Sequence, residues 1–213
     1  MRARRAQRVV FAVAALAIAA GLLALAVGLF AECPPAGAKS PAPSAADASS
    51  PEALCLLLAS DDAGVRTEAA QALARLGRPA VPHLLWAFRG GRPDVQEAAA
   101  PALGAIGDPA AVPALAEALA RSPYVAVRWQ ATQALAQIGG ADAEQALLGA
   151  LRDRDRTVRL AAVEALGRIA TSRAASALRQ ARRDPDEEVR TAAGAALDHM
   201  EGARERRDRD APP

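Results

Sequence analysis

The side chains that most often do chemistry are few and scattered in this chain of 213 residues. There are two histidines, His83 and His199, and two cysteines, Cys33 and Cys55. None stands in a spacing typical of a zinc or redox site, and the sequence contains no nucleophile-elbow, phosphate-loop or dinucleotide-binding glycine motif. General acid–base catalysis needs a carboxylate in an apolar cleft, whereas the many carboxylates here lie in polar stretches. The sequence therefore predicts a protein that is not an enzyme and that binds no metal ion and no cofactor.

The two cysteines leave two interpretations open. If the folded part lies outside the cytoplasm, Cys33 and Cys55 could form a disulfide. Alternatively, Cys55, which lies in the apolar run ALCLLLA, is a small buried hydrophobic residue.

A repeated arginine is the first candidate for binding. Arg66, Arg128, Arg159 and Arg190 each directly follow a valine. If the repeats stack, these guanidinium groups form a row that could bind carboxylates or other anions. The alternative is that each arginine pairs with an aspartate of its own or the neighbouring repeat, such as Asp62, Asp155 or Asp186.

Trp129 is the second candidate. The equivalent positions of the other repeats hold Thr67, Glu97, Leu160 and Thr191, and threonine and glutamate there indicate a solvent-facing position. Trp129 and Leu160 therefore predict an exposed apolar patch that could anchor a partner. The alternative is that Trp129 folds over its own helix or against Tyr124.

These candidates are positioned by a repeat of about 31 residues. The chain aligns on Val65, Val95, Val127, Val158 and Val189, with alanine four residues later and leucine eight residues later in every case. Leucine, isoleucine or methionine follows at eleven residues. These offsets trace one face of an α-helix. Shorter apolar segments between these helices begin near Pro51, Pro82 and Pro113, which suit a first helical turn.

Aspartates three residues before the valines and glycines after the first three long helices predict caps. Each repeat is thus a short helix, a turn and a longer helix. One pair cannot bury its own apolar face, but stacked pairs can. Residues 51–201 are therefore predicted to form an all-α solenoid of about five helix pairs.

The unit DRTVRLAAVEALGRI resembles the HEAT-like repeat of the phycobilisome-lyase type, as do DAGVRTEAAQALARL and DEEVRTAAGAAL. The resemblance covers 51–201 and implies a right-handed α-solenoid whose long helices line the concave side, which would carry Trp129 and Leu160. It also implies that the arginines pair with aspartates. The paired His-Glu steps of iron-binding hydroxylases with such repeats are missing. The second repeat departs from the pattern, with Gln96 in place of arginine and Pro101 inside the helix, where we expect a kink.

Charge argues against a nucleic-acid partner. Residues 51–213 hold 21 arginines and 22 acidic residues, a net charge of −1. Phosphate binding needs an excess of cations on one face. The balance favours a protein or peptide partner on the concave face.

The N-terminal region is predicted to anchor the chain. Residues 1–8 are basic, and residues 9–31 are uncharged and long enough, at roughly 34 Å as a helix, to cross a bilayer. This length favours an uncleaved transmembrane signal anchor over the cleaved signal peptide of a secreted protein. The basic residues 1–8 would then lie in the cytoplasm and the repeats on the extracytoplasmic, periplasmic side of the membrane. A stripe of small residues at Ala17, Gly21, Ala24 and Gly28 could support a homodimer through this helix.

The remaining segments are predicted to be unfolded. Residues 32–50 are rich in Pro, Ala and Ser and are typical of a flexible linker, and residues 202–213 of a charged disordered tail. The whole predicts a membrane-anchored interaction scaffold. The alternative is an enzyme or chromophore-lyase-like protein that uses the groove of the solenoid.

Overall fold

The structure is a computed structural model that describes residues 50–210. Within these residues the chain forms ten α-helices and no strand, as the repeat pattern predicts. Five are short: α1 Pro51–Leu57, α3 Val81–Gly90, α5 Val112–Arg121, α7 Gly140–Ala150 and α9 Ser172–Ala181. Five are longer and alternate with them: α2 Ala63–Leu76, α4 Pro93–Ile106, α6 Val125–Ile138, α8 Arg156–Ile169 and α10 Glu187–Asp210. Two 3-10 helices, Arg78–Ala80 and Pro109–Ala111, lead into α3 and α5.

The predicted aspartate caps begin α2 and α8. The Asp62 side chain accepts hydrogen bonds from the amides of Gly64 and Val65, at 2.7 and 3.2 Å, and so satisfies donors that the first turn leaves free. Asp155 does the same for Thr157 at 2.8 Å. Gly107 ends α4 in the left-handed conformation, with φ 71° and ψ 20°. Helix α4 continues through Pro101 to Ile106.

The helices form two layers. Successive long helices pack side by side, as do successive short helices, and each short helix packs on the long helix of its own repeat. The long helices contact one another more extensively than the short ones do. The core lies between the layers and consists of the leucines and alanines of the repeat, with Leu73, Leu103, Leu135 and Leu166 fully buried.

Alanine and glycine let the long helices approach closely. A side chain built on Gly104 of α4 would place its Cβ 2.8 Å from Ala134 Cα of α6. At Gly167 of α8 the Cβ would lie 2.9 Å from Ala196 Cβ of α10. The low aromatic content of the chain, 3%, fits this mode of packing, because small residues fill narrow interfaces without voids.

The last helix is longer than expected. Residues 202–210, which we expected to belong to a disordered tail, continue α10 to Asp210. This segment has no proline to end the helix.

The predicted membrane segment, residues 9–31, and most of the linker lie outside the described residues. Among residues 50–210, none of the helices combines the length and apolar character needed to cross a bilayer. Cys55 is 3% exposed and disulfide-bonded, and Cys33, the other cysteine of the chain, lies outside the described residues.

Candidate functional site

An exposed apolar cluster marks the start of α6. The described residues include five exposed large hydrophobic side chains, and three of them fall within six positions of one another: Tyr124 (51% exposed), Val125 (38%) and Trp129 (38%). Val125 and Trp129 are four residues apart on α6 and so lie on the same side of that helix. We call these three residues the aromatic patch. Clustered apolar exposure of this kind is typical of a binding surface.

The aromatic patch breaks the capping pattern of the repeat. Tyr124 is the N-cap of α6, and its side chain makes no capping hydrogen bond, whereas aspartates cap α2 and α8. The hydroxyl and amide of Thr157 hold the pKa of the capping Asp155 below its ordinary value. A tyrosine here gives up that stabilisation while adding exposed apolar surface. Such a departure is expected where function outweighs stability.

We expect Tyr124→Asp to stabilise the protein by about 1 kcal/mol, because aspartate can accept the free amides of the first turn of α6. The same change removes an apolar side chain from the aromatic patch and should weaken partner binding. Urea unfolding followed by circular dichroism measures the first effect. The reverse change at an aspartate cap, Asp155→Tyr, is the control and should destabilise. Loss of stability in Tyr124→Asp would show that Tyr124 is a structural residue.

A shallow groove runs across the long helices, and Gln130, the residue after Trp129, is part of its lining. It has a volume of about 450 Å³. Its floor is built of small residues of α2, α4 and α6, among them Ala70, Ala74, Ala98 and Ala102. Thr67 and Glu97, at the repeat position of Trp129, line it, as do Gln130 and Gln137 of α6. Glutamine amides offer both donors and acceptors, which suits the backbone of a bound polypeptide.

A second groove lies further along the same layer, between α8 and α10, with a volume of about 490 Å³. Glu164, Arg168 and His199 line it together with small residues. Leu160, the predicted companion of Trp129, is half-buried on α8 at the equivalent repeat position. The long-helix layer therefore carries two shallow grooves and, at the start of α6, the aromatic patch.

The predicted arginines point elsewhere, to the turns between short and long helices. Arg128 donates from Nε and Nη2 to the two carboxylate oxygens of Asp153, at 2.7 and 2.8 Å. Its Nη1 donates to the carbonyls of Ser122 and Pro123. The Arg128 and Asp153 side chains are 3% and 8% exposed, and the Asp153 carboxylate raises the pKa of Arg128 above its ordinary value. This two-pronged geometry is the strong form of an arginine–carboxylate pair.

Arg159 repeats this arrangement one unit later. It donates to both oxygens of Asp184, at 2.9 and 3.0 Å, and to the carbonyl of Asp153 at 2.9 Å. Each pair joins a long helix to the turn of the following repeat. Of the two interpretations of the arginine row, the pairing with aspartates describes Arg128 and Arg159. Their partners are Asp153 and Asp184, two residues before the helix caps Asp155 and Asp186 that the sequence suggested.

The row changes at the ends of the solenoid. Arg190, in the fifth repeat, donates to the carbonyls of Asp184 and Pro185, at 2.9 and 3.0 Å, and makes no ion pair within the described residues. Arg66 binds the carbonyls of Ser60 and Asp61 and lies 3.5 Å from an Asp94 oxygen. The arginines thus tie each turn to its own long helix, and Arg66, Arg128 and Arg159 also contact a carboxylate of the following repeat.

The structure therefore separates the predicted site residues. Trp129 and Leu160 lie on the long-helix layer. The side chains of Arg128, Arg159 and Arg190 instead bind carbonyls of the turns between short and long helices. Sequence reasoning missed Val125 and cast Tyr124 only as cover for Trp129. The signal was present, because an aromatic residue replaces the aspartate that caps other repeats.

Among residues 50–210, no three His, Cys, Asp or Glu side chains are grouped so that they could hold a metal ion. Glu144, a buried carboxylate of α7, accepts a hydrogen bond from the Thr171 hydroxyl at the start of α9. This contact holds two short helices together.

Comparison with known families covers most of the described chain. The sequence model for HEAT repeats matches residues 51–136 and 114–198. No curated protein matches the sequence closely enough to count as a relative.

Solved structures show the same architecture. The complex of CpcE and CpcF of phycocyanin lyase from Nostoc sp. PCC7120 is similar over 68% of this chain and 96% of that chain, with a TM-score of 0.62 and 23% identity. A designed armadillo repeat protein in complex with the peptide (KR)4 is 22% identical, with a TM-score of 0.51, over 70% of this chain and 80% of that one. An engineered protein is 28% identical, with a TM-score of 0.50, over 74% and 81%. These likenesses establish the fold.

Proposed function

This chain belongs to the HEAT-repeat family, and from that premise we propose that it is an interaction scaffold that binds a protein or peptide on its long-helix layer. The observation that carries this proposal is the exposed aromatic patch of Tyr124, Val125 and Trp129 on α6, a helix that also lines a groove with an alanine floor through Gln130 and Gln137. Large exposed rings supply the kind of anchor that dominates binding energy at interfaces.

The groove supports a polypeptide rather than a small molecule. It is shallow, spans three long helices and has a single charged residue, Glu97, among its lining residues. Small molecules prefer enclosed pockets that bury most of their surface. An extended or helical segment could lie across the alanine floor and use the glutamine amides for its backbone. The designed armadillo repeat protein in complex with the peptide (KR)4 has a similar fold, which agrees with a peptide as the partner.

The proposal does not include catalysis. The similar CpcE–CpcF complex belongs to a lyase, but at 23% identity the likeness concerns the fold. HEAT-type folds serve enzymes and scaffolds alike, so function has to be argued from the site. The groove across α2, α4 and α6 has one charged residue, Glu97, and the groove between α8 and α10 is lined by Glu164, Arg168 and His199 together with small residues.

We also propose that the scaffold is anchored in the cell membrane through residues 9–31, with the repeats on the outer side. The uncharged stretch and the four arginines before it support this. A reporter enzyme fused after Pro213 should be active only outside the cytoplasm. Activity confined to the cytoplasm would contradict the proposed topology.

Trp129→Ala tests the binding proposal, with Trp86→Ala as the matched control. Trp86 is also exposed, at 46%, but lies on the short helix α3. A photoreactive amino acid placed at position 129 in the living cell should crosslink to a discrete protein, and one at position 86 should not give that product. Once the partner is purified, Trp129→Ala should weaken its binding at least about tenfold, with Trp86→Ala near wild type. Equal behaviour of the two positions would overturn the proposal.

A further inference from the structure

The short-helix layer carries a row of exposed arginines. Arg89, Arg152 and Arg183 occupy one repeat position, five residues after the buried leucines Leu84, Leu147 and Leu178. In α5 the same position is Ala120, and Arg121 follows it. Because the helices stack side by side, this position repeats along one face of the layer.

Two grooves flank α7 on this layer. The groove between α5 and α7 has a volume of about 610 Å³, and that between α7 and α9 about 520 Å³. The charged residues that line the first are Arg121, Arg128, Arg152, Arg154 and Asp153, a net charge of +3. Those lining the second are Arg152, Arg173, Arg183 and Asp184, a net charge of +2. In the long-helix layer, the groove across α2, α4 and α6 has a net charge of −1, from Glu97, and the groove between α8 and α10 has a net charge of 0, because Glu164 and Arg168 offset each other.

The carboxylates in these grooves do not neutralise the exposed arginines of the short-helix layer. Asp153 and Asp184 are buried and bound by Arg128 and Arg159 from the long helices. Arg152 and Arg183 form no ion pair within the described part of the chain. Exposed guanidinium groups are thus left free to bind an anion in two prongs.

Two other arginines of these grooves, Arg154 and Arg173, bind neutral acceptors, whereas Arg121 is paired with a carboxylate. Arg154 donates to the carbonyl of Pro123 at 2.7 Å, and Arg173 donates to the side-chain oxygen of Gln145. Arg121 pairs with Glu117 on its own helix, and both side chains are more than half exposed. These contacts position the cations along the grooves without cancelling most of their charge.

Gly149 is the second feature that sets these grooves apart. It lies on α7, lines both grooves, is exposed and has no atom within 4 Å of where a Cβ would stand. A glycine inside a helix lowers stability relative to alanine, and no neighbouring atom requires a glycine at position 149. Its effect is to open the helix backbone to close approach from outside. Leu148 and Leu151 add apolar surface beside it.

From these observations we propose that the short-helix layer binds an acidic polypeptide segment, laid along the grooves on either side of α7. Carboxylates of the segment pair with Arg152, Arg183 and their neighbours, and its small apolar side chains cover Gly149 and the leucines. An inorganic anion would use the guanidinium groups and leave the apolar floor bare. The site lies on a different layer from the aromatic patch and does not depend on the partner proposed for that patch.

The test uses the purified full-length chain and a fluorescein-labelled peptide of alternating glutamate and leucine, with glutamine–leucine and lysine–leucine peptides as comparisons. Fluorescence anisotropy should show binding of the glutamate peptide alone, weaker at higher salt. The double variant Arg152→Ala/Arg183→Ala should bind about tenfold more weakly. Arg168→Ala, an exposed arginine of the long-helix layer, and Trp129→Ala should leave binding unchanged.

Gly149→Leu is the second variant. This substitution changes no charge, and it should not harm folding because the space around Gly149 is open. The leucine side chain should block both grooves and weaken binding about as much as the double variant does. Equal loss in Arg168→Ala, or equal binding of the glutamine peptide, would overturn the proposal. It would also be overturned if phosphatidylglycerol vesicles, but not the glutamate peptide, protected Arg152 and Arg183 from phenylglyoxal, because the layer would then face lipid.

Discussion

Arg128→Ala is expected to lower the free energy of unfolding by about 3–5 kcal/mol, the usual cost of removing one member of a buried ion pair. Asp153, 8% exposed, would lose both hydrogen bonds that its carboxylate accepts from Arg128, at 2.7 and 2.8 Å. The carbonyls of Ser122 and Pro123 would lose a donor as well. The cost is therefore that of a buried Asp153 carboxylate without its ion-pair partner. The contact between the third and fourth repeats is also lost. Urea denaturation followed by circular dichroism measures it.

Arg190→Ala is the matched control. Arg190 stands at the same repeat position and binds two carbonyls of its own turn, but no carboxylate of a following repeat. Its loss should cost about 1 kcal/mol. The double variant Arg128→Leu/Asp153→Leu should recover much of the stability lost in Arg128→Ala, because apolar side chains replace both charges. Equal costs at positions 128 and 190 would show that the pair with Asp153 contributes little.

Gly104→Val is expected to destabilise the protein by about 3 kcal/mol through overpacking. A Cβ at position 104 would lie 2.8 Å from Ala134 Cα and 2.6 Å from the Gln137 side-chain oxygen. The glutamine can move, but the backbone of α6 cannot move without separating the two long helices. Because Gly104 packs against α6, the helix that carries the aromatic patch, partner binding should fall as well. Thermal unfolding and the binding assay for Trp129 measure the two effects.

Replacing glycine by alanine should have opposite effects on stability at Gly194 and at Gly104. Gly194 lies inside α10, and no atom stands within 4 Å of its Cβ position. Gly194→Ala should therefore stabilise by about 0.5–1 kcal/mol through helix propensity, whereas Gly104→Ala should destabilise. If both alanine variants were stabilised, the close approach of α4 and α6 would not limit the side chain at position 104.

The sequence by itself determined the helix pairs of residues 51–201 and their stacking. The valine, alanine and leucine positions repeat at helical spacing, and such a face can be buried only against the next pair. Caps could be located as well, because Asp62 and Asp155 act on amides two or three residues away. These are local relations, and local relations can be read from spacing along the chain.

Only the tertiary structure decided what lies across the repeats. Arg128 reaches Asp153, 25 residues away, rather than the capping Asp155, because the turn of the next repeat brings that carboxylate under its guanidinium. The exposure of Tyr124 beside Trp129, the approach of Gly104 to Ala134, and the contrast between a basic short-helix layer and a nearly neutral long-helix layer have the same origin. Each depends on how one repeat is rotated and placed against the next, and that placement is set by side-chain packing between helices that are distant in the chain.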